Sequence, residues 1–575
     1  MKKELFIEKL NGHDTTGMIG KISKVVGDTV QIGEALFTIE SGKGALTFKS
    51  TEEGILLSFS IEEGQMVTKG QVVAVVEAVE QSASNENSKS ATPKGASAAY
   101  SFGFSKPQKR TVDVDLAIVG GGPGGYVAAI RAAQAGLKVA IVEEDRMGGT
   151  CLNYGCIPTK AMASSVSVLN DIRRASDFGF EISKVDVNFD KLMDRKNKVV
   201  DQLVGGIEYL MSAHNIEFIK GKAQVQQKNQ LVVNDKLQEL TLNYKILILA
   251  MGSKPCAIPI EGHDLPDILT SKELLSLKEV PKSLTIIGGG VIGMEFAFIY
   301  RALGAEVTVV EYLPQILNML DADVADVVRN SAIEKGIQIY EGACAASIKD
   351  TLNGMKILEI QIGETSHFIA SEKVAMAVGR KANLDSLNLE LLEVALNERQ
   401  NGIEVNGFMQ TSNKNVYAIG DVTNMIQLAH VASHQAFVAV DHICGSQTQM
   451  NYDYIPSAIF TNPEVGHVGM TEKEAVVSEI DYLVSAFPFM ANGKALAMGE
   501  SEGFVKLIAR KDDRVIIGGT IVGVHATDLL ATIGNLVSSQ TTIDEASHVI
   551  YAHPTTSESI HEAILMLDKR GVHFA

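Results

Sequence analysis

The sequence is short of basic charge. Lys and Arg number 51 against 69 Asp and Glu, a net charge of −18 over 575 residues. Such a chain offers no cationic footprint for nucleic acid or an anionic membrane, so neither partner is expected. It also lacks an uninterrupted apolar run. The most apolar stretch, Leu284 to Phe298, is broken by glycines and by Glu295, which excludes a membrane-spanning helix there. The opening MKKELFIEKLNG carries charge but no apolar signal segment, so a cytoplasmic setting is expected. Cysteine is scarce, at five residues, which excludes a disulfide-stapled fold. Two of the five, Cys151 and Cys156, stand close together, and that points to redox or metal chemistry instead.

What is present is globular. Hydrophobic residues make up 46%, and at roughly 150 residues per domain the length suggests about four units. Residues 1–79 hold an internal repeat: GDTVQIGEALFTIE from Gly27 returns as GQMVTKGQVVAVVE from Gly64, 37 residues on. Short β-branched segments punctuated by glycine read as strand–turn–strand, and two such halves suggest a small β-sandwich with quasi-twofold symmetry. Between the halves, Lys43 in Gly42-Lys43-Gly44 belongs at a tight hairpin tip. Residues 80–110 turn to Ser, Ala, Asn, Lys and Pro, a flexible-linker composition with a coil span of roughly 30 Å. Beyond it, apolar strands alternate with helical patterns, as in parallel α/β sheets. After Ile455 strands and then helices dominate, as in an α+β domain.

Two dinucleotide fingerprints follow. Strand Asp115–Val119 runs into Gly120, Gly122 and Gly125 in GxGxxG order, then a helix, a second strand and Glu143, 23 residues after Gly120. Such a loop brings backbone N–H groups and a helix N-terminus to a pyrophosphate, and the acid to a ribose. The unit recurs as Gly288, Gly290 and Gly293 with Glu311, again 23 residues on. Glu311 would accept from a 2′-hydroxyl and repel a 2′-phosphate, so NAD is favoured over NADP. Two fingerprints imply two dinucleotides, a flavin in series with a nicotinamide.

The cysteines lie in Gly148-Gly149-Thr150-Cys151-Leu152-Asn153-Tyr154-Gly155-Cys156-Ile157-Pro158-Thr159-Lys160. A metal would need further ligands at suitable spacing, and none is nearby. On an ideal helix, residues five apart lie about 8.6 Å apart, beyond the roughly 6.8 Å limit of a disulfide. The segment must therefore be distorted, and Gly155 permits that. A thiolate at a helix N-terminus is stabilised, and Lys160, four residues past Cys156, adds positive charge.

This segment resembles the redox-disulfide motif of the pyridine nucleotide–disulfide oxidoreductases, most closely the members that oxidise dihydrolipoamide. The resemblance covers about residues 111–575. It implies FAD and NAD as cofactors, with Cys151 and Cys156 as the redox pair. Thr150, Lys160, Ala223 in Gly221-Lys222-Ala223, Asp421 in Tyr417-Ala418-Ile419-Gly420-Asp421, and Ala429 in Leu428-Ala429-His430 would join the first fingerprint around FAD. Gly379 in Ala377-Val378-Gly379-Arg380 would join the second around NAD, and Glu295 would pair with Lys160. His553 and Glu558 in Ala552-His553-Pro554-Thr555-Thr556-Ser557-Glu558 match a base and its orienting acid that face the disulfide of the other subunit. A homodimer is thereby implied, with a lipoylated acyltransferase or carrier protein as partner in a 2-oxoacid dehydrogenase, acetoin or glycine cleavage system. Cys256, Cys344 and Cys444 have no such partners and are expected to be buried or inert. Phe460, His434, Ala436 and Met251 depart from commoner family residues without removing a reacting group. Glutathione and mercuric reductases are the nearest alternatives. Glu311 argues against NADPH, and the end Val572-His573-Phe574-Ala575 holds no second cysteine pair.

Residues 1–79 resemble lipoyl and biotinyl carrier domains, with Lys43 where those bear the prosthetic arm, although Gly-Lys-Gly replaces the usual Asp-Lys-Ala or Met-Lys-Met tip. The expected order is a lipoyl-like carrier domain at 1–79 and a linker at 80–110. An FAD domain follows at 111–256, an NAD domain at 257–380, the second FAD or central segment at 381–450 and a dimerisation domain at 451–575. The fold class is thus a small all-β sandwich, two Rossmann-like α/β domains and an α+β domain. Intact mass spectrometry of protein from a lipoate-replete host should show a lipoyl adduct on Lys43, and an unmodified mass would contradict the carrier assignment.

Overall fold

The glycine-punctuated repeat folds into two four-stranded antiparallel sheets. The computed structural model describes residues 2–7, 16–24, 27–31, 33–41, 44–78, 108–234, 238–385 and 387–574. It divides into units Met1–Phe104 and Ser105–Ala575. In the small unit the repeated glycines share one backbone state: Gly27 and Gly64 have φ of 102° and 84°, and Gly33 and Gly70 have 88° and 84°. That left-handed conformation is what only glycine adopts freely. The symmetry extends to hydrogen bonds, for Gly27 N donates to Leu56 O and Gly64 N to Ile19 O, a pair again offset by 37. The core between the sheets holds Leu5, Ile19, Val30, Phe37, Leu56 and Val73, with Phe37 stacked on Phe48 at 4.7 Å. Strands Ala35–Ser41 and Gly44–Lys49 pair as the expected hairpin, Ser41 opposite Gly44. Lys43 and most of the 80–110 segment lie outside the described residues.

The large unit begins with β1 (Gln108–Val119), α1 (Pro123–Gln134) and β2 (Val139–Glu143). β1 pairs in parallel with β2 and with Gln238–Leu249, and β2 pairs in parallel with Glu217–Lys220. Strand Val416–Ala418 returns, about 170 residues later in the chain, to extend the same sheet beside Gln238–Leu249. Within them residues 116–119, 139–142 and 247–249 are apolar and buried, as expected where both faces of a sheet are covered. Between β2 and the rest of this sheet come α2 (Gly149–Tyr154) and α3 (Cys156–Arg173).

A second parallel sheet is built on β3 (Ser283–Ile287), α4 (Val291–Ala302) and β4 (Glu306–Val310). Its strand order is Ile268–Leu269, Lys373–Met376, β3, β4, Gln338–Tyr340. The last sheet is antiparallel and five-stranded, from Ser457–Ile459 to Ile516–Gly523, and α5 (Glu558–Leu567) packs its apolar face on it through Ile560, Ala563 and Ile564. Lys506 of that sheet is 3% exposed. Its ammonium lies 3.1 Å from Asp321, 3.0 Å from Asp323 and 2.6 Å from Glu472. Burial opposes its charge, but the surrounding carboxylates raise the pKa overall and so keep the lysine protonated. Among the described residues no helix is long and apolar enough to cross a membrane.

Candidate active site

Both glycine loops show which positions packing closes and which it leaves free. A Cβ on Gly125 would stand 1.8 Å from Gly120 O, and one on Gly293 would stand 2.0 Å from Gly288 O. One on Gly120 would meet Ala250 O at 2.2 Å, and one on Gly288 would meet Ala377 O at 2.5 Å. These four glycines are demanded by helix and strand closing on each other. The middle glycines differ: Gly122 has nothing nearer than Gly149 Cα at 4.0 Å, and Gly290 has nothing within 4 Å. They are also the N-caps of α1 and α4, with no side chain capping either helix. Free space in front of unsatisfied helix N–H groups fits a dinucleotide diphosphate at each loop.

Glu143 and Glu311 stand equivalently. Glu143 Oε2 accepts from Gly121 N at 2.6 Å and Oε1 from Asp145 N at 2.7 Å. Glu311 Oε2 accepts from Gly289 N at 2.6 Å and Oε1 from Leu313 N at 2.7 Å. Each acid therefore braces the loop it faces. Burial raises the Glu143 carboxyl above its usual range, against the pull of those two N–H donors. A cleft opens beside it, lined by Gly120, Glu143, Gly221, Ala223 and Met251 among others. The structure thus brings Gly120, Glu143 and Ala223, distant in sequence, to one cavity.

The cysteine segment is broken where glycine allowed it. α2 ends at Tyr154, Gly155 takes φ −147° and ψ −113°, and α3 starts at Cys156. Cys156 is exposed and Cys151 half-buried, both as free thiols. The neighbouring Cys151 side chain is the main reason the Cys156 pKa is pushed down to about 7, with desolvation opposing the shift and Lys160 adding to it. Cys151 is correspondingly pushed up, by Cys156 and by burial. These opposite directions favour the proton on Cys151 and the negative charge on Cys156, at a helix N-terminus.

Behind Cys156, Lys160 Nζ sits 2.9 and 2.8 Å from the two Glu295 oxygens. Glu295, on α4, is 4% exposed, and its Oε1 also accepts from Phe460 N at 2.9 Å. The Phe460 ring carries the Lys160 ammonium 4.4 Å from its centroid. Three chain segments, from α3, α4 and the start of the last domain, meet at this ion pair.

His553 Nδ1 lies 2.9 Å from Glu558 Oε1, and Thr555 N donates to Glu558 Oε2 at 2.8 Å. Burial works against ionisation of Glu558, but these partners hold its pKa below the ordinary carboxylate value. The His553 side chain is 81% exposed. Among the described residues no hydrogen bond or ion pair joins it to the cysteine segment of its own chain.

Asp421 lies in a short 3-10 turn, Gly420–Thr423, Ala429 opens the helix Ala429–Ile443, and Gly379 has φ 108°. Thr150 lies on α2, one residue before Cys151. Two residues were not singled out from the sequence. Ser253 Oγ donates to Asp421 Oδ2 at 2.5 Å and accepts from Arg380 Nε at 2.7 Å. Burial, the largest influence, lowers the Arg380 pKa, with Asp421 opposing it. Arg380 ends the segment Ala377-Val378-Gly379-Arg380 and Ser253 lies two residues past Met251, but their partners are 127 to 168 residues away, and no local pattern announces such a link. Of the two alternatives expected for the remaining cysteines, burial does not hold: Cys344 and Cys444 are exposed and Cys256 is half-buried. Cys344 lies on an outward position of Ala343–Asp350, and Cys444 caps the end of Ala429–Ile443, so neither points into a core.

Residues 114–436 match the family model for pyridine nucleotide-disulphide oxidoreductases, and residues 455–564 match its dimerisation domain. The chain belongs to the pyridine nucleotide–disulphide oxidoreductase family. Residues 12–76 match a further model, that of biotin-requiring enzymes. Relatives in this family include a dihydrolipoyl dehydrogenase of Bacillus subtilis, 38% identical over 80% of this chain and 99% of the relative. One from Halobacterium salinarum is 40% identical over 78% and 95%. Among solved structures of the family, LpdA from Mycobacterium tuberculosis superposes with a TM-score of 0.73 at 27% identity, covering 79% of this chain and all of that one. The HOCl-induced flavoprotein disulfide reductase RclA from Escherichia coli gives 0.70 at 27%, covering 78% and 99%.

The shared proton yields a test. Removing the Cys151 donor with Cys151→Ala should raise the pH midpoint for iodoacetamide alkylation of Cys156 in the reduced protein from near 7 toward the ordinary thiol value of about 8.5. Peptide mass spectrometry reads the rate at each pH, and an unchanged or lower midpoint would contradict the proton assignment.

Proposed function

We propose that this chain is a dihydrolipoyl dehydrogenase that catalyses dihydrolipoamide + NAD⁺ → lipoamide + NADH + H⁺. The observation that carries the reading is the broken helix that starts α3 at Cys156, one turn ahead of the Lys160–Glu295 pair. Gly120, Gly122, Gly125, Glu143, Thr150, Lys160, Ala223, Asp421 and Ala429 would hold FAD. Gly288, Gly290, Gly293, Glu311 and Gly379 would hold NAD, with the Glu311 carboxylate disfavouring a 2′-phosphate. When bound, the flavin supplies a two-electron carrier between the sulfurs and the nicotinamide.

The chain's own residues handle the protons and sulfurs. His553 takes the proton of one dihydrolipoyl thiol, and Glu558 fixes its tautomer and supports the imidazolium. The substrate thiolate attacks Sγ of Cys151 in the oxidised pair, and Cys156 leaves as a thiolate. Cys156 suits that departure because a low thiol pKa makes a good leaving group. The second substrate thiol then displaces the first from Cys151, forming lipoamide and leaving Cys151 as the thiol. Lys160, held by Glu295 and the Phe460 ring, keeps a positive charge near Cys156 throughout.

The family's dimerisation domain and a biotin/lipoyl-type domain are both part of this chain. His553 is exposed and is paired with Glu558, which supports composite sites: His553 and Glu558 of one subunit serve the cysteines of the other. The division at 1–79, 80–110, 111–256, 257–380, 381–450 and 451–575 follows the same reading. Lipoate on Lys43, a lipoylated acyltransferase or carrier as partner, and work in the cytoplasm complete it.

Composite sites make a quantitative claim. Cys156→Ser and His553→Gln homodimers should each be at least about 10³-fold slower than wild type in NADH formation from dihydrolipoamide. After dissociation and reassociation of an equal mixture, half the dimers are mixed and carry one intact site, so about one quarter of wild-type activity should return. No recovery in dimers shown to be mixed would contradict the shared site, and a wild type no faster than Cys156→Ser would contradict the enzyme.

A further inference from the structure

Leu152, Asn153, Tyr154 and Gly155 separate the two cysteines. α2 is six residues long, and a helix that short has no stability of its own. Something must hold it. Leu152 is buried, and Asn153 Nδ2 donates to Met147 O and Gly149 O, both at 3.0 Å. These ties secure the first half of the segment. The last residue before the break, Tyr154, is tied separately. Its hydroxyl donates to Asp145 Oδ2 at 2.7 Å, and its ring lies 4.2 Å from Lys272 Nζ. Lys272 belongs to Ser271–Leu274, which is associated with the second sheet.

Asp145 is itself held, for its N–H donates to Glu143 Oε1, and Glu143 Oε2 takes Gly121 N. A continuous chain of bonds therefore runs from the first glycine loop through Glu143 and Asp145 to Tyr154. There it ends one residue short of the Gly155 break and two short of Cys156. Burial and Asp145 push the Tyr154 hydroxyl up to about 12, so it remains a donor at any working pH.

We propose that Tyr154 is a positioning residue that raises the effective concentration of one cysteine thiol for the other. It does so by pinning the turn between α2 and α3. The inference rests on Cys151 and Cys156 being the redox pair. In the dithiol form the pinned turn has little conformational freedom left to lose, so closing the disulfide costs less entropy than in a loose loop. The exchange that reports this is dithiol + oxidised glutathione ⇌ disulfide + two glutathione. The Cys151–Cys156 bond forms, the glutathione disulfide breaks, and both thiol protons pass to glutathione sulfurs.

The equilibrium constant can be measured on full-length, flavin-loaded protein. Samples are held in glutathione buffers of stepped ratio, quenched by alkylation and read on the tryptic peptide Met147–Lys160, which contains both cysteines. Tyr154→Phe keeps the ring and loses the donor, and should lower the constant for disulfide formation about three- to fivefold. Tyr154→Leu loses the Lys272 contact as well and should lower it about tenfold. Asp145→Leu should match Tyr154→Phe, and the double variant should fall no further, as one shared bond requires. A Tyr154→Phe constant within twofold of wild type, with or without a lower melting temperature, overturns the inference. Additive losses in the double variant also overturn it. A wild-type pair that forms no disulfide at any glutathione ratio overturns the redox reading and the inference with it.

Discussion

The pairing of Cys151 with Cys156 depends on one backbone feature, the break at Gly155. A continuous helix would hold these cysteines about 8.6 Å apart at Cα. With φ −147° and ψ −113° at Gly155, the chain instead starts a fresh helix at Cys156. That places its sulfur at a helix N-terminus and in reach of the Cys151 thiol. The two effects act together. Cys151 and the N-terminal N–H groups favour charge on Cys156. Two chemically identical side chains thereby stand in different environments, as the proposed attack at Cys151 and departure of Cys156 require.

The rest of the large unit holds that difference in place. Lys160 supplies a positive charge one turn along α3, and it is useful only because Glu295 and Phe460 fix it. Glu295 is buried, and a buried carboxylate without a partner is costly, so the pair ties α3 to α4 and to the last domain. Lys506 makes a comparable tie, joining Asp321 and Asp323 to Glu472. Both glycine loops are shaped by collisions that only glycine avoids, and both leave their middle glycine facing open space. The same physical solution thus occurs twice, with Glu143 and Glu311 bracing their loops through equivalent bonds.

Much of this was legible in the sequence because the signals are local. GxGxxG followed 23 residues later by an acid spans one β–α–β unit. The 37-residue repeat is visible as spacing and returns as paired left-handed glycines. Lys160 with Glu295 and His553 with Glu558 were named on motif resemblance, and each pair is in contact. Links between distant segments were not legible. Ser253 meets Asp421 and Tyr154 meets Lys272 only after the sheets have formed, and nothing in the intervening residues records it. The spare cysteines show the converse. Their isolation in sequence suggested that they are buried or inert, but exposure depends on strand face and helix end, which isolation does not report.

The central claim is that the two sulfurs are a redox partner to the flavin and not merely neighbours of it. Anaerobic titration of the oxidised protein counts electrons directly. A flavin takes two and a disulfide two more, so wild-type protein should accept four per subunit and Cys156→Ser only two. A wild type that saturates at two would contradict the account.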